Sequence, residues 1–197
     1  RTRGWGTTVV AFVGVCGCLA AAIIGGALPQ VYQGAHWRTA YFIGGGLGLA
    51  LLVLRIGVVE SGMFRAVQAS AATRGNFFAL FATRERARRY LAVVAIGVPI
   101  WFIIGILVTL GDAIGLQLGL PSPPRPATAL FFCYAGLALG DLAAGVLSQL
   151  LQSRRKAFAT FLLIAGAAGV AYYTVGARSL TWFYASCFAL GIGGGYW

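Results

Sequence analysis

Four acidic side chains occur in this 197-residue chain, Glu60, Glu85, Asp112 and Asp141, and their positions decide what chemistry it could do. Asp141 lies inside a long apolar stretch, about ten residues from its basic end. At 1.5 Å per residue that is roughly 15 Å deep, near the midplane of a bilayer. A carboxyl in such surroundings favours its neutral form, which suits it to bind and release a proton or to balance a cation. The plainer alternative is a hydrogen-bonded residue at a helix–helix contact. Tyr134 is seven residues earlier, on nearly the same helical face, and is the candidate polar neighbour. Asp112 stands at the far end of the preceding apolar stretch, where a solvated end residue and a gating or substrate contact are equally good readings.

Other chemistries find no footing. His36 is alone in a turn and has no companions for a metal site. There is no HExxH pattern, no phosphate-cradling loop and no nucleophile beside a base, so neither an enzyme nor a cofactor is expected. Cys16, Cys18, Cys133 and Cys187 all fall in apolar stretches and read as small buried hydrophobes. Cys16 and Cys18, two apart, point to different faces of a helix.

The elements that must position these residues follow from composition. Hydrophobic residues make up 59% of the chain and charged ones 10%, where a soluble domain carries about a quarter charged. Lipid is therefore the natural solvent. A helix needs about 20 apolar residues to span the hydrocarbon core. Six stretches approach that length, at residues 7–28, 39–59, 90–110, 127–151, 157–175 and 179–197. The expected fold is all-α, an integral membrane protein of about six transmembrane helices. The Pro121-Ser-Pro-Pro-Arg-Pro126 run must be a loop. Residues 61–89 form the one long polar segment, with a surface helix expected over Gly75 to Arg88 that carries Phe77, Phe78 and Phe81 on one side.

Charge then orients the spans. Eleven basic residues (Arg1, Arg3, Arg65, Arg74, Arg84, Arg86, Arg88, Arg89, Arg154, Arg155 and Lys156) fall on one side. Only Arg38, Arg125 and Arg178 fall on the other. That asymmetry puts the first group, and with it residues 61–89, in the cytoplasm. Arg55 snorkels from its span towards the interface near Glu60. Nucleic acid is not an expected partner despite the net charge of +11, because the arginines cluster between apolar runs instead of tracking a phosphate backbone. The glycine pairs Gly44/Gly48, Gly136/Gly140 and Gly191/Gly195, each four apart, predict close helix packing. The chain opens at Arg1 and stops within an apolar run, so it is expected to be an internal portion of a longer protein.

The order of these features resembles the middle of a major facilitator superfamily transporter. One resemblance is the run from Gly145 to Lys156. It is similar to that family's tight basic loop between adjacent helices, with Gln149 at the usual acidic position and Arg154, Arg155 and Lys156 as the basic residues. Trp37-Arg38 opening a span that closes with Glu60-Ser-Gly-Met-Phe64 resembles the family's pattern around its sixth helix, without the usual proline. The long basic segment that follows resembles the central loop. The resemblance implies helices five to ten of a twelve-helix bundle. Residues 1–60 would end the N-terminal half, 61–89 would be the cytoplasmic loop, and 90–197 would begin the C-terminal half. It further implies alternating-access transport of a small organic solute, with protons as candidate coupling ion, in a bacterial inner membrane. Gly145, Gln149, Arg154, Arg155 and Lys156 would form a conformational gate. A uniporter, a channel or receptor, and a membrane-embedded enzyme are the alternatives.

Overall fold

The computed structural model describes residues 3–31, 36–56 and 76–196, and these are helical without a strand among them. Helix α1 spans Arg3–Val31, α2 His36–Ile56, α3 Arg84–Phe102, α4 Gly111–Gln117, α5 Pro126–Leu150, α6 Arg154–Thr174 and α7 Leu180–Gly194. Four stretches are long and apolar enough to cross a membrane: Arg38–Ile56, Arg84–Val108, Pro126–Leu150 and Arg154–Arg178. Helices α1 and α7 carry shorter apolar stretches, Thr8–Ile24 and Leu180–Gly194.

Local chemistry sets the boundaries. Pro126 opens α5 at the first helical position, where its missing N–H costs nothing. Ser153 and Ser179 cap α6 and α7, their hydroxyls accepting from the backbone N–H of Lys156 and Trp182. Between α5 and α6 the chain reverses at Gln152, a non-glycine residue with φ of 49°. Such a left-handed helix end normally falls to glycine. Here the Gln152 side-chain amide donates to the Gln149 carbonyl at 2.6 Å and helps hold the turn.

The chain divides into two compact units, Tyr32–Gly97 and Arg1–Val31 with Val98–Trp197. In the first, α2 is exposed along almost its whole length, including Tyr41, Phe42, Leu51 and Leu54. Such a helix is stable only in a solvent as apolar as itself. The same unit holds an aromatic cluster in which the Phe77 and Phe81 rings pack edge-on against Tyr90.

In the second unit α7 lies at the centre, packed on α5 and α6, and α1 lies on α5. The pattern of buried residues explains this. On α5, Ala129, Cys133, Gly136, Leu137, Gly140, Asp141 and Ala144 recur at helical spacing, as do Phe183, Cys187, Leu190, Gly191 and Gly194 on α7. The α5–α7 contact runs through the expected glycine pairs. A Cβ on Gly136 would strike the Phe188 carbonyl, and one on Gly191 would strike that of Cys133. Gly44 and Gly48 differ, because nothing lies within 4 Å of where a side chain on either would point.

Two expectations are corrected. The surface helix over Gly75 to Arg88 is instead a 3-10 turn at Phe77–Leu80, a break, and then the start of α3 at Arg84 (Gly75 itself is outside the described residues). The cause is a pair of caps: Asn76 accepts from the Ala79 N–H at 3.2 Å and Thr83 from the Arg86 N–H at 3.3 Å. The third span is not one uninterrupted α-helix either. It widens to a π-helical turn at Ile103–Val108, breaks at Thr109 and Leu110, and restarts as α4.

Candidate functional site

Asp141 is 4% exposed, and its Oδ1 has no hydrogen-bond partner among the described residues. Three features of the sequence put it there. The apolar stripe of α5 carries its backbone inward. Gly140 beside it lets α7 come close, and Gly195 faces it so tightly that a Cβ there would stand 2.5 Å from the Asp141 nitrogen. The third is α1. Tyr134, Asp141 and Gly145 share one face of α5, at spacings of seven and four. Tyr134 meets the Cys18 side chain, and a Cβ on Gly145 would stand 2.7 Å from the Thr8 Cγ2 and Oγ1. The two helices are therefore antiparallel, and Asp141 falls between these contacts, at the level of Ala11 and Phe12. It occupies the side of α5 where the faces turned to α1 and α7 meet.

A carboxyl in such a place is a strong constraint. Charged, it would need a partner cation, and neutral, it holds a proton with nothing fixed to receive it. The arrangement is suited to exchanging a proton or meeting a cation, and poorly suited to staying as it is. Among the described residues no three His, Cys, Asp or Glu side chains gather as a metal site requires.

The other candidates do not converge on Asp141 by hydrogen bonds. Tyr134 shares its face but is half-buried against Cys18. Asp112 is half-buried, and its Oδ1 accepts from the N–H of the next residue, Ala113, at 2.8 Å. In the turn, Gly145 serves the α1 contact, the Gln149 carbonyl accepts from Gln152, and Arg154, Arg155 and Lys156 are exposed. The antiparallel pairing brings the first turn of α1, with Arg3, to the same end of this unit as that basic turn.

Sequence reasoning missed Tyr172. It is fully buried and donates from its hydroxyl to the Leu107 carbonyl at 2.6 Å, inside the π-helical turn. The Thr109 hydroxyl donates to the Ile104 carbonyl in the same turn, also at 2.6 Å. The Ile104 carbonyl also accepts the Thr109 backbone N–H at 3.1 Å, so the Thr109 hydroxyl adds a second bond there. The Tyr172 hydroxyl instead serves a carbonyl at the end of the π turn, where the ordinary α-helical pairing is shifted. Only the apolar setting of Tyr172 was visible beforehand, and that did not distinguish packing from hydrogen bonding.

No known protein family, curated protein or solved structure matches the chain.

Proposed function

We propose that the chain is the middle portion of a secondary transporter of the major facilitator type, with six spans corresponding to helices five to ten, and that it moves a small organic solute by alternating access coupled to protons. One observation carries this reading: the buried carboxyl of Asp141, with its Oδ1 unpartnered among the described residues, sits on the face of α5 that packs against α1. In the proposed arrangement α1 belongs to the N-terminal half and α5 to the C-terminal half. The contact between them is then where such transporters hold substrate and coupling ion, near the midplane between two halves.

Two further features support it. The first turn of α1 and the Arg154–Lys156 turn share one end of their unit, as alternate loops on the cytoplasmic side would. The third span carries a π-helical turn at Ile103–Val108, and such turns inside helices often mark functional positions. An enzyme would need clustered catalytic groups at an interface, whereas a mid-span carboxyl between helices favours transport.

The test is made with the intact transporter in sealed vesicles. A panel of small organic acids, sugars and amines is added outside while external pH is followed. At least one solute should cause alkalinisation that a protonophore abolishes, as solute and protons enter together. Solute uptake that never moves protons would leave a uniporter and remove the coupling. Absence of any uptake across the panel, in either direction of the pH gradient, would count against transport.

A further inference from the structure

The first two turns of α3 read Arg84-Glu-Arg-Ala-Arg-Arg89, four arginines against one glutamate. This is an unfavourable place for cations, because the first turn of a helix carries the positive end of its dipole. Glu85 pairs with Arg89 at 2.5 Å, both side chains well exposed. Among the described residues Arg84, Arg86 and Arg88 make no ion pair. Arg84, Glu85, Arg88 and Arg89 line an open groove of about 690 Å³.

The surroundings say what fills it. Directly C-terminal to the cluster the helix turns apolar and continues as the span ending at Val108. The arginines therefore stand at headgroup depth, where long basic side chains keep their stems along the apolar surface and their charges in the polar layer. Directly N-terminal lie Phe77, Phe78 and Phe81, with Phe78 82% exposed. Phe78 turned outward, with Phe77 and Phe81 still about half exposed beside Tyr90, is poor surface in water next to three guanidinium groups without ion pairs among the described residues. The combination is favourable where rings enter the acyl boundary and arginines meet phosphate.

We infer that the start of α3 and the preceding Phe77–Phe81 turn form a binding surface for anionic phospholipid headgroups, with Arg84 and Arg88 as the principal phosphate contacts. Those two are four apart, one above the other on a single helix face, and line the same groove. Guanidinium groups suit them to paired hydrogen bonds with phosphate oxygens. Glu85 weakens the surface by engaging Arg89. The inference is independent of transport and requires only that this span lie in a membrane.

The experiment titrates the purified protein in detergent with phosphatidylglycerol or phosphatidylcholine and counts bound lipid by native mass spectrometry. Wild type should bind phosphatidylglycerol in preference to phosphatidylcholine. The Arg84→Gln/Arg88→Gln variant should bind it roughly 25-fold more weakly, about fivefold for each arginine lost. Arg125→Gln/Arg178→Gln, which removes two exposed arginines elsewhere, should leave binding unchanged. Excess inorganic phosphate should not displace the lipid, since the rings and apolar span contribute nothing to a free ion. If the first double variant misfolds, Glu85→Gln decides the matter: freeing Arg89 should strengthen phosphatidylglycerol binding about fivefold. Equal binding of the two lipids would overturn the inference. So would equal loss in both double variants, displacement by phosphate, or no gain in Glu85→Gln.

Discussion

Two buried polar residues of the second unit carry opposite meanings. Tyr172 is satisfied: its hydroxyl closes the π turn by bonding to the Leu107 carbonyl. Asp141 has one oxygen left without a partner among the described residues. The first bond ties two helices together, and the second residue is the one the proposed proton coupling rests on. Tyr172→Phe should therefore destabilise the protein by about 0.5–2 kcal/mol, the worth of a side-chain hydrogen bond between membrane helices. Thermal unfolding in detergent measures it, with Tyr173→Phe, on an exposed ring, as the reference that should not move. A Tyr172→Phe protein as stable as wild type would show that the bond does nothing for the third span. Asp141 was legible in the sequence because a lone carboxylate in an apolar run stands out by type. Tyr172 was not, because its partner is a main-chain carbonyl 65 positions away that only the π turn frees.

Glycine spacing was informative about the helices, but only halfway. Three pairs four apart predicted close packing. Two of them found each other across the α5–α7 contact, and the third, Gly44/Gly48, faces open space on α2. The spacing reports that a helix can be approached, not which neighbour approaches it. Adding a methyl group separates the cases. Gly136→Ala drives a Cβ into the Phe188 carbonyl and should cost about 1–3 kcal/mol through overpacking. Gly44→Ala meets nothing and should gain about 0.5–1 kcal/mol from lower backbone entropy in the unfolded chain. Melting curves of the two variants should shift in opposite directions. A destabilised Gly44→Ala protein would mean that α2 packs through that face after all. Elsewhere, apolar run length located the four long spans, and proline marked the loop before α5. Interruptions escaped notice. A π turn keeps the same apolar composition as an α-helix, and the Phe77–Phe81 turn looked helical because its phenylalanines fit either geometry. Thr83, the cap that restarts the chain at Arg84, was the available signal.

At the scale of the whole molecule, the proposed transport function turns on whether the α1–α5 contact divides two halves that move against each other. The sequence supplied the ingredients: long apolar spans, basic residues in alternate loops and one mid-span carboxyl. It did not supply the pairing of α1 with α5, which depends on Thr8 against Gly145 and Cys18 against Tyr134, because nothing in the type or spacing of these residues says which helix each will meet. If that contact is the moving one, Asp141 lies where its protonation changes which arrangement is favoured, and coupling rather than solute binding should depend on it. The direct measurement is Asp141→Asn in the intact transporter, reconstituted in vesicles with the solute that moves protons. Proton-driven accumulation should be lost, while exchange of labelled for unlabelled solute with no pH gradient continues near the wild-type rate. Unchanged accumulation against a concentration gradient in Asp141→Asn would contradict the account.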